Sequence, residues 1–393
     1  MKGFQLKTPL APEGPRPDFL IVAGEASGDE HAARMVEGLF RENPRVSVYA
    51  FGGKNLRAAG AHLLYDLTQH AVVGLCEVLG NLRLFRQLLA AVMDWVAIHR
   101  PRTVCLVDYP GFNLRLAKKL FQKGLSRKGG GEGTLYYYIS PQVWAWKAKR
   151  RLGMARWLDH LALIFPFEKD FFADTPLRVS FVGHPLLEAK ASPLLSYDPQ
   201  GALLLLPGSR VATVRRLFPL MLETFRRLRP QFPQLSAAVL YADEGILGEL
   251  QGMFAKYEDL RPALRFVSVA EQNLPCAASL MVSGTLSLRC ALAGIPGVIT
   301  QKIHPLSYFL ARRWVKIPHI GMANILLQRE SVPEYIQGEA KPSVLCEKVA
   351  QCLQDPRRIE GAQRDAEALK TVLGAPPDMT VAEWLLSSLE EKF

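Results

Sequence analysis

Thr103-Val104-Cys105-Leu106-Val107-Asp108-Tyr109-Pro110-Gly111-Phe112-Asn113 decides the class of fold. An apolar run short enough for a buried strand ends on a carboxylate and a Pro-Gly turn, and residues 113–121 then follow with helical spacing. The same rhythm appears earlier, where Phe19–Ala23 precedes a helix from about Asp29, and again at 135–139. A second series starts at 203–206 and continues through Ala237–Tyr241, 280–282 and 297–300. Strands alternating with helices predict parallel sheets with helical crossovers. The stretch 183–200, with Pro185, Pro193 and Pro199, separates the two series and reads as a linker. Two doubly wound domains in succession predict a cleft between the carboxyl ends of two sheets, where such folds take their ligands.

Size and charge agree with this reading. The chain has 393 residues, 49% of them apolar, enough for two cores. Lys and Arg number 48 against 37 Asp and Glu, a net charge of +11 that favours a polyanionic partner: nucleic acid, an anionic membrane surface or phosphorylated substrates. The six cysteines are scattered without a C-x-x-C pair, which suits a reducing, cytosolic compartment. The first 18 residues carry Pro12, Pro15 and Pro17 but no signal-peptide core, and no later apolar run reaches the roughly 18 residues of a membrane span. The expectation is a chain neither exported by that route nor membrane-spanning.

Absent motifs narrow the chemistry. The sequence has no Walker A motif, no G-x-S-x-G elbow, no H-E-x-x-H and no D-x-D pair to hold a metal on a pyrophosphate. A diphosphate leaving group would then rely on backbone N–H groups, helix N-termini and basic side chains. Two turns of the second series offer these. In Leu206-Pro207-Gly208-Ser209-Arg210 a leucine run stops at a Pro-Gly turn that delivers Arg210 to the start of the next helix. In Ser283-Gly284-Thr285 small residues open another helix after a strand. An ordinary helix cap explains either turn alone, and the pair together shifts the balance modestly toward a nucleotide site.

In the first series, Gly24-Glu25-Ala26-Ser27-Gly28-Asp29 leaves the first strand and enters a helix without G-x-G-x-x-G spacing. Its glycines suit close approach of a ligand, while Glu25 and Asp29 equally suit a helix N-terminus. Asp108, at the carboxyl end of a strand, stands where a general base would sit, with an Asx-turn beside Pro110 the even alternative. Trp144, Trp146 and Lys147 in Ser140-Pro141-Gln142-Val143-Trp144-Ala145-Trp146-Lys147 could present rings and a cation to sugar or phosphate, or pack between domains. Val72, Val73, Leu75, Val78, Leu79, Leu82 and Phe85 exceed one helical face, which allows a membrane-facing or acyl-binding surface as well as a core. The glycine-rich stretch 125–133 precedes a strand and reads as a connector.

Taken in order, GEASGD at Gly24, VVGLCEVLG at Val72, VDYPGFN at Val107, SPQVWAWK at Ser140, FPFEKDFF at Phe165, FVGHP at Phe181, LLPGSR at Leu205, SGT at Ser283 and NILLQRE at Asn324 resemble the lipid-A-disaccharide synthase family. The resemblance covers nearly the whole chain. It implies a GT-B glycosyltransferase: two Rossmann-like parallel-sheet domains facing a central cleft. Residues 1–185 would form the acceptor domain, 186–200 a linker, 201–375 the UDP-sugar domain, and 376–393 a C-terminal helix returning to the first domain. The implied reaction is inverting transfer from UDP-2,3-diacylglucosamine to 2,3-diacylglucosamine 1-phosphate (lipid X), with no cofactor or metal and no nucleic acid. The product is a β-1,6-linked disaccharide phosphate, made by a dimer working peripherally at the cytoplasmic side of an anionic inner membrane. Asp108 is the implied base. Gly24, Glu25, Ser27, Gly28, Asp29, Asn113, Trp144, Trp146 and Lys147 are candidates for substrate contact, and Arg210, Ser283, Gly284, Thr285, Asn324, Arg329 and Glu330 match donor-side positions.

Three positions depart from the family pattern. Arg289 stands where SGTxxLE would place an acid on the donor ribose, Thr213 where a Glu follows GSR, and Gln328 where a Gly precedes Arg-Glu. Losing charged ribose hydrogen bonds would cost about 1.5–3 kcal/mol. Arg289 therefore motivates an alternative, an impaired lipid- or nucleotide-binding relative. A transferase for another UDP-sugar is the third reading.

Overall fold

Residues 16–70, 82–145, 148–187, 194–271, 273–303 and 318–390 are described by the structure, a computed structural model. The chain divides into two units, one of residues 1–185 with 375–393 and the other of residues 186–374.

The first unit is built on a seven-stranded parallel sheet: β1 (Phe19–Ala23), β2 (Val48–Gly52), β3 (His62–Asp66), β4 (Thr103–Val107), β5 (Thr134–Tyr138), β6 (His160–Leu163) and β7 (Arg178–Phe181), in the order β3-β2-β1-β4-β5-β6-β7. Helices cover the central strands on both faces, so β1, β4 and β5 are buried along their whole length and read as unbroken apolar runs. The strand order reverses between β1 and β4, which pair in parallel from Phe19 with Thr103 to Ala23 with Val107.

A six-stranded parallel sheet forms the second unit: β8 (Leu195–Leu206), β9 (Ala237–Tyr241), β10 (Leu264–Ser268), β11 (Leu274–Met281), β12 (Gly297–Gln301) and β13 (Glu334–Ile336), in the order β10-β9-β8-β11-β12-β13. Its reversal lies between β8 and β11. Strand β8 begins inside the stretch read as linker. Leu194 and Leu195 are buried and Leu195 pairs with Leu274, while the pairing shifts at Pro275 and Cys276 and admits the exposed Pro199 and Gln200. The glycine-rich stretch turns through a short 3-10 segment, and Lys128 Nζ donates to the carbonyl of Ala155 at 2.9 Å.

The helix Val381–Glu390 belongs to the first unit. Trp384 is fully buried, with ring centroids 5.0 Å from Tyr136 and 5.7 Å from His160, and Ser388 Oγ lies 2.7 Å from Thr103 Oγ1. His160 Nε2 pairs with Ser180 Oγ at 2.9 Å. Burial, with Arg178 adding to it, lowers the His160 pKa to about 3.

Between about pH 6.5 and 3 the unfolded chain binds a proton that the folded unit refuses, so stability is full above pH 6.5 and falls below it, by at most about 1.4 kcal/mol per pH unit. Urea unfolding of wild type and His160→Phe from pH 7.5 to 4.5 tests this. The variant is expected to lose stability less steeply as pH falls.

Candidate active site

Both pairs of strand-end turns singled out in the sequence fall at a reversal of strand order. The segments 24–29 and 108–113 leave β1 and β4; the segments 207–210 and 282–285 leave β8 and β11. Such switch points are where open α/β sheets bind ligands.

At the first, Asp108 and Tyr109 are both left-handed, with φ of 46° and 47°. The helix Pro110–Gln122 starts at once, its proline supplying a preset φ at the first position. The Tyr109 ring lies against Gly24, where any Cβ would collide with it, and stacks on Phe112 at 5.8 Å. Burial, then the charge of Glu25, pushes the Tyr109 phenol up to about 12. Gly28 opens space beside Asp108, since a Cβ there would stand 3.8 Å from the Asp108 Cβ. Glu25 and Ser27 are half-buried at this same end.

Two of the acceptor-side candidates turn inward. Asp29 is 2% exposed, and its carboxylate accepts from the backbone N–H groups of Gly53 at 2.6 Å and Asn55 at 3.0 Å, capping the helix Lys54–Ala58. Asn113 is fully buried, and its Nδ2 donates to the carbonyls of Val22, Val107 and Asp108 at 3.3, 3.1 and 2.8 Å. Both side chains thus spend polar atoms inside the fold, Asp29 on the start of the helix Lys54–Ala58 and Asn113 on the turn after β4.

The next strand ends extend the site. Trp144, after β5, donates through Nε1 to Glu168 Oε1 at 3.1 Å and meets Phe167 edge-on. Glu168, after β6, also accepts from Phe165 N–H at 3.3 Å. Burial raises the Glu168 carboxyl to about 8 against the pull of those hydrogen bonds. Sequence reasoning passed over Glu168, although an acid inside Phe165-Pro166-Phe167-Glu168 was the available signal. Tyr137, whose hydroxyl donates to the Asp108 carbonyl at 2.6 Å, gave no signal within its run of tyrosines.

In the second unit Gly208 has a φ of 104°, and Arg210 caps the helix Val211–Leu228 through its backbone. Its side chain is exposed and forms no hydrogen bond or ion pair with a described residue. Gly284 and Thr285 are exposed at the start of the helix Thr285–Leu292, and Arg289 lies one turn on from Thr285 on the same face. The hydroxyl of Ser283 donates to Ile320 O at 2.6 Å, so it ties the turn to residues 318–321.

Asn324 likewise directs its side chain into the fold. It is fully buried, donates to Val332 O and Glu334 Oε1, both at 2.7 Å, and accepts from the N–H groups of Ser331 and Val332. Glu334, unnoticed in the sequence, caps the helix Met322–Leu327 by accepting from Gly321 N–H at 2.8 Å and Ile320 N–H at 2.9 Å. Arg329 is held in a two-point pair with Asp365, while Glu330 stays exposed.

Several expectations lie outside the described residues: Val72, Val73, Leu75, Val78, Leu79, Trp146 and Lys147, together with the side chain of Leu82. Phe85 is described. It is half-buried, meets Phe112 edge-on at 5.2 Å and carries the Arg115 guanidinium over its ring at 5.2 Å, so it packs on the core cluster. Among the described residues, no group of three or more His, Cys, Asp or Glu is arranged to hold a metal ion.

The two sheets and their switch points define the GT-B class of fold. A putative UDP-N-acetylglucosamine 2-epimerase from Listeria monocytogenes matches with a TM-score of 0.59 at 10% identity, covering 96% of this chain and 98% of the other. The glycosyltransferase of kitacinnamycin matches with a TM-score of 0.55 at 14% identity, covering 95% and 100%. Sequence comparison is more specific: the family model described as lipid-A-disaccharide synthetase matches residues 19–376. The lipid-A-disaccharide synthase of Geobacter metallireducens is 34% identical over 371 residues, 92% of this chain and 94% of that one. The enzyme of the same name from Nitrosococcus oceani is 34% identical over 396 residues, 96% and 98% of the two chains. The chain belongs to the lipid-A-disaccharide synthase family.

The departure at Gln328 now has a conformational meaning. Gln328 ends the helix Met322–Leu327 in the left-handed region, φ 53° and ψ 31°, where a glycine is free of Cβ strain. Gln328→Gly is expected to raise stability to urea by about 0.5–1 kcal/mol and Gln328→Val to lower it. Equal stability of all three forms would refute the strain.

Proposed function

We propose that this chain transfers the diacylglucosaminyl group of UDP-2,3-diacylglucosamine to 2,3-diacylglucosamine 1-phosphate, forming the β-1,6-linked disaccharide phosphate and releasing UDP. The observation that carries the reading is the coincidence of the family's motifs with both switch points. Asp108 acts as general base: it takes the proton of the acceptor hydroxyl as that oxygen attacks the anomeric carbon from the face opposite UDP. The bond from the anomeric carbon to the β-phosphate oxygen breaks, and the configuration inverts. The charge that grows on the diphosphate is met by the unencumbered Arg210 and the N–H groups opening the helices Val211–Leu228 and Thr285–Leu292. Buried Asp29, Asn113 and Asn324, with half-buried Glu334, tether the backbone of neighbouring segments.

The membrane is the natural workplace, since both substrates carry acyl chains and the chain carries a net charge of +11. Among the described residues no helix is long and apolar enough to cross a membrane. The apolar positions 72–82 are the proposed acyl-facing segment, cytoplasmic peripheral association is the proposed location, and a homodimer the proposed assembly.

Arg289 favours one competing reading, that of a relative with an impaired donor site. The protein, given both acylated precursors without added metal, is expected to yield the disaccharide phosphate by mass and one UDP per transfer. Asp108→Asn should cut kcat by about 100- to 10,000-fold and leave UDP affinity unchanged. Absence of product together with absence of UDP binding would support the impaired reading, as would a large gain on Arg289→Glu. A product of different mass would point to another UDP-sugar.

A further inference from the structure

The turn that carries Asp108 is held against its own preference. Single left-handed residues are tolerated at Asp, but Tyr109 continues the same conformation, and an aromatic residue there is uncommon. Such a turn persists only where its surroundings over-determine it. Two side chains do so by converging on one atom, the carbonyl oxygen of Asp108: the Tyr137 hydroxyl at 2.6 Å and Asn113 Nδ2 at 2.8 Å. The same Nδ2 reaches the carbonyls of Val107 and Val22, so the amide fastens the ends of β4 and β1 to the turn.

Both gripping groups are buried. Asn113 is fully buried, and its Oδ1 has no hydrogen-bond partner, a cost that an apolar residue of similar size would avoid. Tyr137 is fully buried in the sheet and feels the negative charges of Asp108 and Glu25 and the positive charge of Arg150. Neither is placed to meet a substrate.

From this convergence we infer that Tyr137 and Asn113 are positioning residues for the transfer step, gripping the Asp108 carbonyl so that the strained turn aims the Asp108 carboxylate. The inference rests on Asp108 being the base. It differs from that reading in assigning part of the turnover to two buried groups that never touch the reacting atoms.

Steady-state kinetics of Tyr137→Phe, Asn113→Ser, Asp108→Asn and the double variant Tyr137→Phe/Asp108→Asn, with UDP affinity and thermal melting measured on each, test it. Tyr137→Phe keeps the ring and loses only the grip. It should lower kcat about 10- to 100-fold with acceptor KM changed less than about twofold, because misaim of a catalytic group is felt in the transition state. Asn113→Ser, smaller and still polar, repeats the test at the second grip. In the Asp108→Asn background, removal of the Tyr137 hydroxyl should cost nothing further. Wild-type kcat in a folded Tyr137→Phe would overturn the inference, as would an equal loss in both backgrounds, while Asp108→Asn remained impaired. Full turnover by Asp108→Asn would instead remove the base, and the inference with it.

Discussion

One carbonyl oxygen, that of Asp108, organises the first unit's strand ends. It lies where β4 stops beside β1, and it accepts both the Tyr137 hydroxyl from β5 and the Asn113 amide from the following helix. Three neighbouring elements thus meet on a single acceptor. The left-handed pair Asp108-Tyr109 is the backbone consequence, and Gly24 is the consequence for sequence, because only a residue without Cβ leaves room for the Tyr109 ring. A rigid sheet supplies the anchor points, which is how a loop can hold a reactive group in a fixed place.

The same division of labour recurs in the second unit. Glu334 and Asn324 spend their polar atoms on backbone groups of residues 320–321 and 331–332, and Ser283 reaches Ile320. What remains outward is Arg210, Gly284, Thr285 and Glu330. Motif residues in both units therefore sort into those that bind neighbouring backbone and those left exposed. Burial and hydrogen bonding make the distinction. Gln328 shows a departure absorbed by conformation, whereas Arg289 alters the charge on the face that Thr285 opens.

Strands buried on both faces were legible in the sequence because nothing interrupts their apolar runs: β1 and β4 were read to the residue, β9 likewise, and β5 within one residue. The short edge strands β3, β7 and β13 left no such run, since exposed positions admit His62 and Arg178 and half-covered ones Asp66 and Glu334. Helix starts moved forward, to Ala26 and Pro110, because Pro110 was read as a turn breaker when it opens the helix. Of the candidate site, the positions of the turns were legible and the direction of their side chains was not. Asp29, Asn113 and Asn324 read as ligand contacts in a motif, and their hydrogen bonds to distant backbone depend on tertiary neighbours that no motif shows. Tyr137 could not be singled out, because its role depends on a carbonyl 29 residues away in the chain.

In the proposed reaction the Asp108 turn takes its shape from its fit against β1, and this shape sets turnover. Gly24→Ala tests it most directly, by placing a methyl group into the Tyr109 ring while leaving every polar group of both units in the sequence. Turnover is expected to fall by about tenfold or more while UDP affinity and the folded state are retained. Wild-type turnover in Gly24→Ala would contradict it.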